Sequence, residues 1–123
     1  VSITGNLTAL QGALLNLVHN ASQVTPKGEC VHVETAVSDK RLHVAIIDKG
    51  PGVPDKLKNK IFEPFFTTKT HGTGLGLAVV KSVVNAHNGL LSVSNMPEGG
   101  ACFSVSLPCV VNAQSSQTLT HVA

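Results

Sequence analysis

The sequence predicts a two-layer α/β sandwich, with helices on one face of a mixed or antiparallel sheet. Three observations carry that fold class. Two stretches, Leu7–Val24 and Thr73–Asn88, repeat apolar residues at steps of three and four, the helical period. Shorter stretches rich in Val, Leu and Ile alternate or run apolar, as strands do. The elements follow the order strand, helix, strand, strand, long loop, helix, strand, strand, which suits one layer of each kind.

Each element has its own warrant. Val1–Gly5 reads as a short strand. Asn6 offers an N-cap for a helix to about Val24, because its side chain can accept from an orphan amide of the first turn. Leu7, Leu10, Leu14, Leu17, Ala21 and Val24 make its apolar face, and Pro26-Lys27-Gly28 ends it. Val31, Val33, Thr35 and Val37 alternate as in a half-buried strand. Ser38-Asp39-Lys40 makes a turn into Arg41–Asp48. That strand has Leu42, Val44 and Ile46 on one face and Ala45 and Ile47 on the other, so it should sit centrally in its sheet.

The periodicity then fails. Lys49–Thr73 carries Gly and Pro and only one potential helical turn, near Asp55–Ile61. A loop this long in a compact domain is usually functional or mobile. It holds three of the four aromatics, Phe62, Phe65 and Phe66, which must dock on the domain, a ligand or a partner. Thr73–Asn88 follows as the second helix, with Gly89 as its C′ residue. Leu90–Asn95 and Ala101–Leu107 are strands joined through Pro97-Glu98-Gly99-Gly100. One domain over residues 1–109 is expected, followed by a polar, frayed tail over 110–123.

Composition narrows the function classes. A chain of 123 residues with 42% hydrophobic residues can bury a real core. Charged residues make up only 13% and the net charge is +2, too little for a nucleic-acid face or a membrane-surface patch. Lys49, Lys56, Lys58, Lys60 and Lys69 share one segment, and only Lys69 lies beside glycines. The cysteines Cys30, Cys102 and Cys109 are odd in number and lack C-x-x-C spacing, against a zinc site or a disulfide framework. Cys30 and Cys102 fall in strand-like runs and read as small buried hydrophobes. No apolar stretch reaches the ~18 residues of a membrane span. A start at Val1 rather than Met points to a piece of something larger.

Two glycine clusters flank the long loop: Asp48-Lys49-Gly50-Pro51-Gly52 and Gly72-Thr73-Gly74-Leu75-Gly76. A glycine-rich turn that opens a helix lets backbone amides converge on an anion. The spacing is neither that of a P-loop nor that of the dinucleotide fingerprint, and the kinase H-R-D and D-F-G pair is missing. Asn16 and Asn20 lie four apart on one helical face. An amide oxygen suits Mg²⁺, although from the helix alone two stacked amides read first as exposed or capping residues. Asp48 ends a strand just before Gly50. A carboxylate there can only accept, which favours a ligand with an amino donor such as adenine, or simply begins a turn.

The order Asn-x-x-x-Asn-Ala, Asp-x-Gly-x-Gly, Phe-Glu-Pro-Phe-Phe, Gly-x-Gly-x-Gly-Leu and a late Gly-Gly resembles the catalytic ATP-binding domain of bacterial sensor histidine kinases. That superfamily also includes the ATPase domains of type II topoisomerases, a heat-shock chaperone and a mismatch-repair protein. The resemblance covers about residues 1–108. It matches Asn16–Ala21 to the N box, Asp48–Gly52 to the G1 box and Ile61–Lys69 to the F box. Gly72–Gly76 matches the G2 box and Gly99-Gly100 the last glycine motif. Pro64–Leu77 is especially similar to kinases of the nitrogen-regulation and flagellar type.

The resemblance implies the Bergerat fold, a mixed sheet with helices on one face and a long ATP lid from about Val53 to Thr73. It implies ATP and Mg²⁺ as ligands. Asn20 would chelate Mg²⁺, with Asn16 one turn before it where hydrolysing relatives carry a water-activating Glu. Asp48 would bind the adenine amino group, with Gly50, Gly52 and Val53 around the base. Ile61 and Phe62, then Thr68, Lys69, Gly72, Thr73, Gly74, Leu75, Gly76 and Leu77, would form lid, hinge and phosphate contacts. Gln23 stands where many relatives carry Lys or Arg, so phosphate charge must be met elsewhere. The implied partners are a histidine-bearing dimerisation domain and the receiver domain of a response regulator. None of the six histidines has the context of a phospho-acceptor, so the chain reads as the ATP-binding half only, a monomer on its own, in the cytoplasm. Three other readings remain open from the sequence: an ATPase of the superfamily, an anti-sigma-factor-type serine kinase, and a non-catalytic adenine-nucleotide sensor.

Overall fold

The computed structural model describes residues 3–63 and 76–110. Helix α1 spans Leu7–Val24 and opens as expected on Asn6, whose side chain accepts from the Ala9 amide at 3.0 Å. Strands β1 (His32–Ser38) and β2 (Arg41–Ile47) form an antiparallel hairpin. Its two-residue loop puts both Asp39 (φ 52°) and Lys40 (φ 59°) in the left-handed region, the turn whose twist matches that of the strands. Helix α2 spans Gly76–Ala86, and β3 (Leu90–Asn95) and β4 (Ala101–Pro108) form a second antiparallel hairpin.

The sheet order is β1-β2-β4-β3, and every pairing among the described residues is antiparallel. β2 is interior, as its two apolar faces require. Alternation on β4 turns Ala101, Phe103, Val105 and Leu107 inward and leaves Cys102, Ser104 and Ser106 on the outer face. The inward set meets Ala13, Leu17 and Ala21 of α1 and Val80 and Val84 of α2, so both helices cover one face.

Several sequence expectations are corrected. No strand forms over residues 3–5. The Asn6 amide instead donates to Nε2 of His87 at 2.9 Å, which ties this segment to the end of α2 rather than to a neighbouring strand. Leu7 is 70% exposed, because α1 reaches the core only from Leu10 onward. The left-handed residue after α2 is Asn88 (φ 58°), not Gly89. The Asn88 and Gly89 amides donate to the Asn85 and Val84 carbonyls at 3.1 and 2.9 Å, a Schellman closure with Asn88 at C′. Cys30 precedes β1 and is exposed, Cys102 is half-buried on the outer face, and the buried thiol is Cys109.

The potential helical turn near Asp55–Ile61 is two 3-10 turns, Asp55–Leu57 and Lys60–Phe62. The second drives Ile61 and Phe62 into the core, where the Phe62 ring stands edge-on to Phe103 with centroids 6.3 Å apart. Phe62 thus docks on the domain itself. Phe65 and Phe66 lie outside the described residues, as does the expected tail beyond Val110.

Candidate functional site

Asp48 directly follows β2 and is only 2% exposed, the one buried charged side chain among the described residues. A carboxylate out of water must be met by donors. Its Oδ1 accepts from the Gly50 amide at 2.9 Å and from the Ala101 amide at 3.0 Å. Its own amide donates to the Ala101 carbonyl at 2.9 Å, which extends the β2–β4 ladder by one step. Among the described residues no donor reaches Oδ2, so this oxygen can accept from a ligand or from water.

Two glycines let the chain pack closely around Asp48. Gly100 sits at φ +92°, and a Cβ there would collide with the Asp48 carbonyl. Gly52 sits at φ +81°, and a Cβ there would come within 2.8 Å of the Asn95 side-chain oxygen. The loop from Lys49 to Val53 is pinned along its length. The Lys49 amide donates to Thr25 Oγ1 at 3.0 Å, just past the end of α1. Gly50 lies against Val24. Val53 is held from both sides by Asn95, whose Oδ1 accepts the Val53 amide at 2.7 Å and whose Nδ2 donates to the Val53 carbonyl at 2.8 Å.

On the helical side, Asn16 and Asn20 are both half-buried on α1. Gly76, the first residue of α2, has its Cβ position 4.0 Å from Asn20 Nδ2. The fold therefore brings the second of these two amides to the opening of the second helix. Leu77 is half-buried against the core. Gln23 is exposed, with Nε2 3.0 Å from Nε2 of His19. Thr68, Lys69, Gly72, Thr73, Gly74 and Leu75 lie outside the described residues.

Past Val53, Asp55 pairs with Lys58 at 2.8 Å. The hydrogen bond from Lys58, and then its charge, hold the Asp55 carboxyl below its ordinary range. Sequence reasoning missed three supports of this site: Thr25, Asn95 and Ala101. Asn95 reads in sequence as a residue entering a Pro-Gly-Gly turn, and nothing local shows that its amide reaches across to Val53.

A family model described as "Histidine kinase-, DNA gyrase B-, and HSP90-like ATPase" matches residues 5–111. The chain belongs to that family. Its relatives include sporulation kinase A of Bacillus subtilis, 38% identical over 88% of this chain and 18% of that protein. The signal transduction histidine-protein kinase AtoS of Escherichia coli is 40% identical over 95% of this chain and 19% of that protein. Among solved structures, the mycobacterial sensor histidine kinase MprB is similar with a TM-score of 0.81 at 35% identity, over 86% of this chain and 74% of that one. Full-length ShkA in complex with AMPPNP gives a TM-score of 0.74 at 32% identity, over 85% of this chain and 22% of that one. The chain is an ATP-binding catalytic domain of the sensor histidine kinase type, and spans about a fifth of the length of these two curated relatives. No helix among the described residues is long and apolar enough to cross a membrane.

Proposed function

We propose that this domain binds Mg-ATP and passes the γ-phosphoryl group to a histidine on a dimerisation domain outside this chain. The observation that carries the reading is Asp48: a buried carboxylate with one oxygen saturated by backbone amides and the other left to accept. Such an acceptor suits the exocyclic amino group of adenine and rejects the carbonyl that guanine presents at the same position. Gly50, Gly52 and Val53 would line the base, and Ile61 and Phe62 support the lid from the core.

At the far end, Asn16, Asn20, Gln23, Thr68, Lys69 and the run from Gly72 to Leu77 would surround the phosphates. The Asn20 amide, beside the first residue of α2, fits Mg²⁺, which takes few protein ligands and otherwise keeps water and phosphate oxygens. Bound there, the ion would neutralise phosphate charge. Asn16 occupies the place where hydrolysing relatives carry a Glu. An amide cannot take a proton from water, so ATP is spared for transfer to a histidine. In the parent protein a response regulator receiver domain would accept the phosphoryl group next, and the setting would be cytoplasmic.

Calorimetry on the isolated chain tests the binding step. It should bind ATP with Mg²⁺, lose affinity when EDTA is added, and bind GTP far more weakly. Steady release of ADP by the chain alone would favour the ATPase reading instead. Absence of ATP binding would overturn the proposal.

A further inference from the structure

We propose that Asn95 is a positioning residue for the base end of the nucleotide site, an inference that rests on the reading of Asp48 given above. Asn95 is the last residue of β3 and pairs across the hairpin with Ala101. Ala101 in turn exchanges two hydrogen bonds with Asp48, through its amide to Oδ1 and its carbonyl to the Asp48 amide. Asn95, Ala101 and Asp48 therefore form one row across the sheet end. The chain leaves that row at Asp48, passes Gly50 and Gly52, and returns to it at Val53.

Among the described residues the hydrogen bonds that fix the return come from the Asn95 side chain, while the Val53 side chain packs against the core. The side-chain amide of Asn95 matches the Val53 backbone as a second strand would, accepting at 2.7 Å and donating at 2.8 Å. Oδ1 and Nδ2 are an acceptor–donor pair on one planar amide, so a single rotamer makes both bonds at once. Gly52 makes the approach possible, because any side chain there would strike Asn95 Oδ1. Only Pro54 separates Val53 from the Asp55–Leu57 turn. Asn95 thus does two things: it holds the loop wall of the base pocket, and it sets where the lid leaves the domain.

This role differs from that of Asp48 in a measurable way. Removing the Asn95 amide leaves both Asp48 bonds in place, since neither uses Asn95. The adenine acceptor stays where it is, while the wall opposite it loosens. The loss is confined to the base end, so ATP, ADP and adenosine should weaken by the same factor. Binding must then order a loop that these two bonds no longer hold, and a net ordering cost of about 1.4 kcal/mol corresponds to about tenfold in affinity.

The experiment is calorimetric titration of the wild-type chain, Asn95→Ala and Asn95→Asp with ATP, ADP and adenosine, alongside amide hydrogen exchange of Val53. Asn95→Asp keeps the acceptor for the Val53 amide but turns a second oxygen toward the Val53 carbonyl. Expected results are about tenfold weaker binding of all three ligands to Asn95→Ala, an unchanged preference for ATP over GTP, and partial recovery in Asn95→Asp. The Val53 amide should be protected in the wild-type chain and exchange freely in Asn95→Ala. Unchanged affinity in Asn95→Ala overturns the proposal, as does a loss seen for ATP but not adenosine. If Asn95→Ala does not fold, a freely exchanging Val53 amide in the wild-type chain still overturns it. Failure of the wild-type chain to bind any of the ligands counts instead against the nucleotide reading of the whole site.

Discussion

Replacing Asp48 by Asn separates the two oxygens of the carboxylate. Oδ1 is kept as an acceptor for the Gly50 and Ala101 amides at 2.9 and 3.0 Å, so the loop and the β4 junction keep their bonds. Oδ2 becomes an amino group. A donor then faces the adenine amino donor, and the charge that strengthened the original bond is gone. A hydrogen bond to a charged group contributes about 1.5–3 kcal/mol, and leaving the ligand's donor unpaired adds to that loss. The charged bond alone corresponds to ATP affinity roughly 10- to 150-fold weaker, and the unpaired donor places the expected loss toward the upper end or beyond. Burial offsets none of this, because the neutral amide is easier to bury than the carboxylate, and the fold should be retained. Titration calorimetry reads the affinity, and far-UV circular dichroism with a thermal melt reads the fold. A folded variant that binds ATP within threefold of wild type would refute the assignment of Oδ2 to the base. An unfolded variant would show that the charge, not the Oδ1 geometry, holds the loop.

Other outcomes follow from the packing. Phe62→Ala removes a ring that is 8% exposed and stands edge-on to Phe103, and should cost about 3 kcal/mol in urea unfolding; a loss below about 1 kcal/mol would mean the lid base is not part of the core. Gly100→Ala forces a Cβ at φ +92° into the Asp48 carbonyl, so it should lower stability by about 2 kcal/mol and weaken ATP binding as the β2–β4 junction spreads. Lys58→Met should return the Asp55 carboxyl to its ordinary range in an NMR pH titration. Because the folded value is depressed, the small stabilisation from this pair is present above the unfolded value, about 3.9, and is lost as pH falls through the folded one. A midpoint that does not move in Lys58→Met would contradict the pairing.

Much of this fold was legible because it is local. Asn6 before an apolar three-four pattern fixes the start of α1, and alternation fixes β1 and β4. The two-faced apolar run of β2 fixes its interior place. The misreadings are tertiary. Residues 3–5 have the composition of a strand, but the Asn6 amide finds the His87 ring first. Gly89 has the residue type of a C′ cap, but Asn88 tolerates the left-handed region and takes it one position earlier. Of the candidate site, Asp48, Asn16 and Asn20 stand out in the sequence by residue type and spacing. Thr25, Ala101 and Asn95 do not, because each acts through a backbone or side-chain bond to a partner 24 to 53 positions away. Sequence pattern carries no information about such reach.

The central claim is that the bound ATP is spent on a histidine rather than on water. Incubating the chain with γ-labelled ATP, Mg²⁺ and a separately produced histidine-bearing dimerisation domain of a sensor kinase tests it most directly. Label should appear on that domain, as an acid-labile and alkali-stable phosphoramidate, only when both proteins are present, and Asp48→Asn should sharply reduce it at ATP concentrations near the wild-type Kd. Label released as inorganic phosphate by the chain alone, with none on the histidine domain, would contradict the claim.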